Sequence, residues 1–386
     1  MMRQSHGVGE SPLSTPSRQL ADFVANFRFE DLPEHARERT RAIFLDAIGC
    51  ALAGHEGDET GQIEPVATAL GGPGNSTVIG GASLSLVGAT LLNGYLITAV
   101  TACDVHRATL CHIAPEVVPP ALAIAEQRDR SGRDLLRALA LGFEVTTRLG
   151  LGMHYSAFRA RGWHSPGVIG PFGGAGAPPL RSCSSMPSDS CWRSAWRAAN
   201  PLARSRPSVI TAVLALVQRQ DLRPEQVARV KVGLSEAVYK MHGEIGWEGK
   251  FRALLSTRYV VAVVLADGQC WLDQFTPERI ADPALDAFAR DRVIVQVDPA
   301  VKGTGAVVEI TDREGSNYVE RRSVPRGDSA DPLSRAEVEA KFRLAARGRL
   351  TETTIDQVID RTIHLEEVAR VSELTQLLRA PTGVLV

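Results

Sequence analysis

The sequence lacks any apolar run that approaches the roughly 18 residues needed for a membrane-spanning helix. It also lacks an excess of one charge, because 43 Lys and Arg residues nearly balance 44 Asp and Glu residues and leave a formal net charge of −1. We therefore expect neither a nucleic acid nor a membrane as a partner. The polar residues 1–16 have no apolar centre of the kind found in a signal peptide, and we interpret them as a disordered tail.

Cysteine is scarce as well. Six cysteines in 386 residues, without regular spacing, argue against a disulfide framework and favour a reducing, cytoplasmic compartment. The apolar fraction of 44% is ample for a large core, and 23% charged residues is ordinary for a globular protein. A chain of this length is expected to form two or three domains.

Apolar residues recur at helical spacing through the first part of the chain, which predicts an all-α domain. Ser17 is a plausible N-cap of the first helix. A long helix from Glu34 to Gly54 is apolar nearly all round in its second half, so we expect that half to be buried. The other elements expected here are a β-like segment at 77–79 and helices over 82–100, from Pro119 and from Ser131.

Two stretches in the middle of the chain have unusual compositions. Residues 167–177 are glycine-rich, but no predicted strand precedes them, and the Walker lysine-hydroxyl pair and the Rossmann spacing are both missing. We interpret them as the start of a helix whose small residues allow close packing. Residues 178–207 are rich in Ser, Arg, Cys and Trp and show no clean periodicity.

From Ser208 onward helical patterns mix with short alternating segments, which predicts a smaller α+β domain with antiparallel strands. The final helical segments are expected to pack back onto the first domain. The expected strands are 227–234, 292–297, 306–311 and 318–324, with a hairpin turn at 312–315. The expected helices are 209–220, 257–267, 334–346 and 355–378, and a buried strand is the alternative for 257–267.

The densest collection of groups that can carry protons or bind metal follows the helix predicted over 82–100. Loops on a rigid scaffold often carry chemistry, so this loop is the first candidate for a functional site. Its members, all within ten residues, are Cys103, Asp104, His106, Cys111 and His112.

A second histidine supports the same interpretation. His164 follows Trp163 and precedes Pro166, which we expect to break a helix. Histidine suits acid/base work because its pKa lies near working pH. We hypothesise that His112 and His164 face one pocket.

A rival hypothesis is a zinc site. Cys103, His106, Cys111 and His112 have the spacing C-x2-H-x4-C-H and are ligand types that zinc accepts. The spacing matches no common structural zinc pattern, and adjacent Cys and His ligands are geometrically awkward. Metal analysis of the purified protein decides between the two hypotheses.

Several stretches resemble the MmgE/PrpD family, which includes 2-methylcitrate dehydratase, cis-aconitate decarboxylase and iminodisuccinate epimerase. They are FLDAIGCALAG, LLNGYLITAV, DVHRATLCHIAPEVVPPALAIAE, GFEVTTRLG, RGWHSPGVIGPFGGAGA, RYVVAVVLADG and VPRGDSADPLSRAEVEAKF. The resemblance implies a mainly α fold with a smaller α+β lid domain, a homodimer, and a cleft for a small di- or tricarboxylate without metal or cofactor. The expected division is a tail at 1–16, a helical domain at 17–205 and 333–386, and a lid domain at 206–332.

The resemblance also assigns roles to residues. His112 and His164 match two histidines of the family, Asp104 the last aspartate of its Asp-rich loop, and Tyr259 the tyrosine that opens the lid helix. These four are the candidate catalytic residues. The residues expected to hold substrate carboxylates are His106, Arg161, Lys250 and Arg258.

The chain departs from the family in two places. Thr101, Ala102 and Cys103 stand where relatives carry earlier aspartates, and relatives have a further helical segment with a functional lysine near 178–207. The resemblance still leads us to expect a cofactor-independent lyase that is similar to 2-methylcitrate dehydratase. Such an enzyme acts on a small polycarboxylate by proton abstraction next to a carboxylate. Dehydration, decarboxylation and epimerisation stay open, as does the alternative of a shortened, non-catalytic paralogue that keeps the fold and the dimer.

Overall fold

A computed structural model describes residues 15–106, 108–176 and 207–379. Most of the tail expected at 1–16 and nearly all of the unusual stretch at 178–207 lie outside the described residues. Within the described residues, no helix is both long and apolar enough to cross a membrane.

The chain forms a larger helical part and a smaller part built around a four-stranded sheet, which confirms the predicted fold class. The helices are α1 Pro16–Asn26, α2 Glu34–Gly54, α3 Thr60–Gly71, α4 Leu86–Ala99, α5 Ala114–Gln127, α6 Gly132–Gly152, α7 Tyr155–Ala160, α8 Ser165–Gly176, α9 Pro207–Gln220, α10 Glu236–His242, α11 Lys250–Leu255, α12 Thr257–Asp267, α13 Pro277–Ile280, α14 Pro283–Asp291, α15 Arg335–Ala346, α16 Glu352–Ile363 and α17 Ser372–Thr375. Short 3₁₀ turns lie at Phe29–Asp31, Leu272–Phe275, Leu365–Glu367 and Gln376–Leu378. The strands are β1 Val227–Leu234, β2 Val293–Val297, β3 Ala306–Asp312 and β4 Asn317–Arg322.

Helix α2 lies at the centre of the helical part. Every residue from Ile43 to Gly54 is buried, as the sequence predicted, and the helix packs against α4 and α15. At Gly54 the helix approaches the backbone of Leu96 so closely that a Cβ would overlap its carbonyl group. The residue that ends the helix is therefore also the residue that allows α4 to pack against it.

The described residues form two hydrophobic cores. The first joins α2, α4, α5, α6, α15 and α16, and the second joins α9, α12 and α14 to the sheet. Trp271 and Leu272 come from the smaller part but are buried in the first core, so they anchor the two parts to each other. The exact domain boundaries proposed from the sequence stay a prediction.

The sheet has the strand order β2-β1-β3-β4. The β1/β3 and β3/β4 pairs are antiparallel, as expected, and the turn at 312–315 connects the second pair. The expectation of antiparallel strands was wrong for β1 and β2, which pair in parallel with Val230 opposite Val293. Helices α10 to α14 lie between these two strands in the sequence, and such a crossover is what parallel pairing requires.

Local structure corrects four expectations. The N-cap of α1 is Thr15 and not Ser17, since the Thr15 hydroxyl accepts a hydrogen bond from the backbone N–H of Arg18 at 3.3 Å. The segment at 77–79 forms no strand, and only an isolated bridge joins Ser76 and Leu84 beside it. The sequence analysis missed α3, and the helix expected over 355–378 is broken into α16, α17 and two 3₁₀ turns.

Candidate active site

The loop between α4 and α5 folds back on itself and buries several polar side chains. The backbone N–H of His106 donates to the carbonyl of Cys111 at 2.8 Å, and the two residues form an isolated β-bridge. Polar loop residues are usually solvated, whereas five side chains here are only 0–6% exposed. These five are Cys103, Asp104, His106, Cys111 and His112.

Asp104 holds the loop against the start of α5. Its carboxylate accepts hydrogen bonds from the backbone N–H groups of Ile113 at 3.1 Å and Ala114 at 3.0 Å. Two of the N–H groups that a helix leaves unpaired at its first turn thus have a partner. For this reason α5 begins at Ala114, and the expected start at Pro119 was wrong.

Burial also gives Asp104 an unusual acidity. Removal from water raises the pKa of its carboxyl to about 7, although the backbone donors of Ala114 and Ile113 oppose the shift. The nearby carboxyl of Asp46 raises the pKa further. A carboxyl in this range can both accept and release a proton near neutral pH.

Asp104→Ala is expected to lower the free energy of unfolding by about 1–2 kcal/mol, because it leaves two buried N–H groups at the start of α5 without their acceptor. Urea unfolding monitored by circular dichroism measures the change. Asp282→Ala is a suitable control, since the Asp282 side chain caps α14 from a partly exposed position and its loss should cost less. An equal loss in the two variants would contradict this role of Asp104.

The two histidines of the loop are held by neighbours within it. His112 Nδ1 lies 3.2 Å from Cys103 Sγ, and His106 Nδ1 lies 2.8 Å from Thr109 Oγ1. Thr109 Oγ1 also lies 3.3 Å from the backbone carbonyl oxygen of His106, so this threonine contacts both the ring and the backbone of His106. Both imidazoles therefore have a defined orientation at Nδ1.

A buried ion pair lies beneath the loop. Lys341 of α15 forms a salt bridge with Asp46 of α2, with side chains that are only 7% and 2% exposed. The same ammonium donates to the carbonyl of Ala102 at 2.8 Å, one residue before Cys103. Burial alone would lower the pKa of Lys341, but the carboxylate of Asp46 outweighs this effect and raises it.

Sequence reasoning missed Lys341 and Asp46 as members of the site. A signal was present for Asp46, which is the one charged residue in the apolar second half of α2, whereas Lys341 lies in a helix with several other charged residues. Such a charge is almost never buried without a partner. The pair ties α2 and α15 to the loop backbone, so elements far apart in the sequence fix the position of the loop.

Glu116 lies on the other side of the loop, at the first turn of α5. Its carboxyl is 3.8 Å from Cys111 Sγ and fills a space beside Gly170 of α8, where a Cβ would overlap it. Burial raises the pKa of Glu116 to about 9, and the nearby Asp104 adds to the shift. The side chain is therefore neutral at pH 7, and it separates the His112 loop from the helix that follows His164.

Glu116→Gln is expected to raise the free energy of unfolding by about 1–2 kcal/mol at pH 9 and to change it little at pH 5. The pKa of Glu116 in the folded state exceeds the usual value for a glutamate. Its neutral carboxyl therefore makes its full contribution to the stability of the folded state only below that usual pKa. It is lost as the pH rises towards about 9, where the wild-type carboxyl ionises and the glutamine stays neutral. Urea unfolding at pH 5, 7 and 9 measures this difference, with Glu314→Gln in the exposed hairpin turn as control. Equal pH slopes in wild type and Glu116→Gln would refute it.

His164 is exposed and immediately precedes α8. Pro166 lies in the first turn of α8, so the expectation that this proline breaks a helix was wrong. The expectation of close packing by small residues is confirmed, since a Cβ at Gly173 would overlap Thr146 of α6. Helix α8 packs against both α5 and α6, but whether His112 and His164 share a pocket stays a prediction.

The other expected site residues are more dispersed. Tyr259 is fully buried and its hydroxyl donates to the carbonyl of Gln274 at 2.7 Å, which is the environment of a core tyrosine. Lys250 donates to the carbonyl of Glu56 at 2.9 Å and lies 3.6 Å from Asp58, so it bridges the smaller and larger parts. Arg258 is half-buried and Arg161 is exposed after α7. The roles of these residues in binding or catalysis stay predictions.

The zinc hypothesis gains no support from the geometry. In the stretches 15–106, 108–176 and 207–379, no three His, Cys, Asp or Glu side chains are arranged so that they could hold a metal ion. Cys103 contacts His112, but His106 contacts Thr109 and Cys111 contacts Glu116. Two of the four proposed ligands thus contact each other, and the other two contact residues outside the proposed set.

The protein belongs to the MmgE/PrpD family. A model of the MmgE/PrpD N-terminal domain matches residues 18–178, and a model of the MmgE/PrpD C-terminal domain matches residues 201–365. These matches cover most of the chain and confirm the resemblance seen in the sequence.

Several relatives are named as decarboxylases. The cis-aconitate decarboxylase-like protein oryM of Aspergillus oryzae is 24% identical over an alignment 476 residues long. The alignment, gaps included, covers 95% of this chain and 98% of the relative. Cis-aconitate decarboxylase of Aspergillus terreus is 31% identical over 163 residues, or 41% of this chain and 33% of the relative. Human cis-aconitate decarboxylase is 26% identical over 130 residues, or 33% of this chain and 27% of the relative.

Proposed function

We propose that the protein is a lyase of the MmgE/PrpD family that acts, without a cofactor, on a small di- or tricarboxylate. Cis-aconitate is the first substrate to test, because the relative that aligns along nearly the whole chain is named as a cis-aconitate decarboxylase-like protein. The observation that carries the proposal is the set of buried side chains in the loop between α4 and α5. They include a histidine that Cys103 orients and a carboxyl whose pKa burial raises to about 7.

The chemistry of the class explains why such a loop is useful. Loss of water or carbon dioxide from a polycarboxylate requires proton transfer at a carbon next to a carboxylate. We assign this proton transfer to His112 and His164. Asp104 is a further group that can exchange a proton near neutral pH. The buried surroundings strengthen any hydrogen bond that these groups make to a bound carboxylate.

The residues that would hold the carboxylates of the substrate are a separate part of the proposal. Arg161 and Arg258 remain the candidate carboxylate holders, because an arginine fork matches a carboxylate. Lys250 is a weaker candidate, since its ammonium already contacts Asp58 and Glu56. A homodimer and a cytoplasmic location, both expected from the sequence, belong to this proposal and are tested by light scattering and by cell fractionation.

The first experiment is a thermal-shift screen of the full chain against cis-aconitate, citrate, 2-methylcitrate, itaconate and an iminodisuccinate analogue. A ligand at about 100 times its Kd stabilises the folded state by about 2.7 kcal/mol and raises the melting temperature. Any acid that shifts the melting temperature is then assayed for turnover, with carbon dioxide release separating decarboxylation from dehydration. The same assay after dialysis against a chelator tests the absence of a metal requirement.

The outcomes separate the alternatives kept open by the sequence. A shift and turnover with one acid support the lyase and name its substrate. Binding without turnover, or a cooperative melt with no shift for any acid, favours a non-catalytic paralogue. Thr101, Ala102 and Cys103, which stand where relatives have aspartates, give that alternative its physical basis.

A further inference from the structure

We propose that Cys103 is a positioning residue that fixes the tautomer of His112, so that the neutral imidazole carries its proton on Nε2. The inference deepens the proposed function and rests on it, because it divides the work between the two histidines of that site. It also gives a role to one of the residues that replace the expected aspartates.

The contact between the two side chains carries the inference. Cys103 Sγ lies 3.2 Å from His112 Nδ1, and the residues are 2% and 6% exposed. The other polar neighbour of the sulfur is Thr98 Oγ1, at the longer distance of 3.8 Å. A thiol has one proton to donate, and the shorter contact directs it to the imidazole nitrogen.

The direction of this hydrogen bond follows from the surroundings of the sulfur. Burial raises the pKa of the Cys103 thiol far above neutral pH, and the carboxyls of Asp104 and Asp46 act in the same direction. The hydrogen bond with Thr98 and the ammonium of Lys341 oppose these effects but do not outweigh them. The sulfur is therefore a protonated thiol, which donates S–H and is a poor acceptor. Nδ1 of His112 must then be the acceptor, and the ring proton lies on Nε2.

The backbone on both sides of Cys103 is fixed. The carbonyl of Ala102 accepts from Lys341 at 2.8 Å, and Asp104 is bound to the first N–H groups of α5. The thiol therefore faces the imidazole from an anchored backbone. Neutral His112 enters the reaction as an N–H donor to a carboxylate or to its developing charge, and the role of base falls to His164.

Nuclear magnetic resonance of the full chain labelled with ¹⁵N-histidine tests the tautomer directly, because long-range ¹H–¹⁵N couplings and shifts show which ring nitrogen carries the proton. The chain has nine histidines, and the spectrum of His112→Asn identifies the signals of His112. We expect the Nε2–H form in wild type and in Cys103→Ser, whose hydroxyl can donate in the same direction. We expect Cys103→Ala to lose this preference.

Cys270→Ser is the matched control, because it removes a thiol from the smaller part of the chain and should leave the His112 signals unchanged. An Nδ1–H form in wild type overturns the proposal, and so does an unchanged tautomer in Cys103→Ala. The measurement on wild type stands even if the alanine variant fails to fold.

Turnover separates this proposal from the proposed function. In an active enzyme we expect Cys103→Ala to lower kcat about 10-fold or more with a smaller change in KM, since a histidine in the wrong tautomer loses most of its rate. Cys103→Ser should restore most of kcat. The tautomer needs no substrate, so an Nε2–H form in a protein without turnover supports the positioning and refutes only the lyase.

Discussion

Lys341→Met is expected to lower the free energy of unfolding by about 3–5 kcal/mol, because it leaves the buried carboxylate of Asp46 without its partner. The carboxylate is 2% exposed, so water cannot replace the lost ammonium. The substitution also leaves the carbonyl of Ala102 without the donor that lies 2.8 Å away. The second loss falls on the loop that carries His112, so activity should fall together with stability.

Urea unfolding of Lys341→Met, of Asp46→Leu, of their double variant and of one control measures this effect. Lys240→Met is the matched control, since Lys240 forms an exposed pair with Glu236 and should cost less than about 0.5 kcal/mol. The double variant Asp46→Leu, Lys341→Met removes both charges and should recover a large part of the lost stability. If the double variant is as unstable as the sum of the two single variants, the pair is not coupled as the geometry indicates.

Much of the fold could be predicted because local patterns decide it. The burial of α2 follows from a helical segment that is apolar nearly all round. The start of α6 follows from Ser131, whose hydroxyl accepts from the N–H of Asp134 at 3.2 Å. The end of α12 follows from Gly268, which adopts a left-handed conformation with φ of 66°. In each case the residues that set the element lie within it or beside it.

The incorrect predictions share a different cause. The parallel pairing of β1 with β2 depends on residues more than 60 positions apart, such as Val230 and Val293, and no local pattern encodes it. The early start of α5 depends on Asp104, which lies ten residues before Ala114 and reaches it only because the loop folds back. Tertiary contacts therefore override the local signal of Pro119.

The residue types of the candidate site could be predicted from the sequence, but the residues that hold its loop in place could not. The cluster of histidine, cysteine and aspartate marked the loop from Cys103 to His112 directly. The sequence could not show that Lys341, 239 residues after Ala102, would fix the backbone of that loop. It also could not show that Glu116 would lie between the loop and α8.

His112→Asn and His164→Asn are each expected to lower kcat/KM by about 10²–10⁴, because each removes a group that transfers or holds a proton in the proposed reaction. His164 is exposed, so its replacement should leave the melting temperature nearly unchanged. His112 is buried against Cys103, and a loss of about 1 kcal/mol in stability is expected there. Steady-state kinetics with the acid identified by thermal shift measures both effects.

The two histidines should differ in the way their variants fail. If His112 donates a hydrogen bond to the substrate while His164 acts as base, His112→Asn should raise KM as well as lower kcat, and it should weaken the thermal shift given by the acid. His164→Asn should lower kcat and leave that thermal shift intact, because its loss affects the proton transfer and not the binding. The exposed His364, 52% accessible on α16's C-terminal side, provides the matched control His364→Asn, which should change neither constant. Full activity in either site variant would remove that histidine from the mechanism, and identical changes in both would contradict the division of roles.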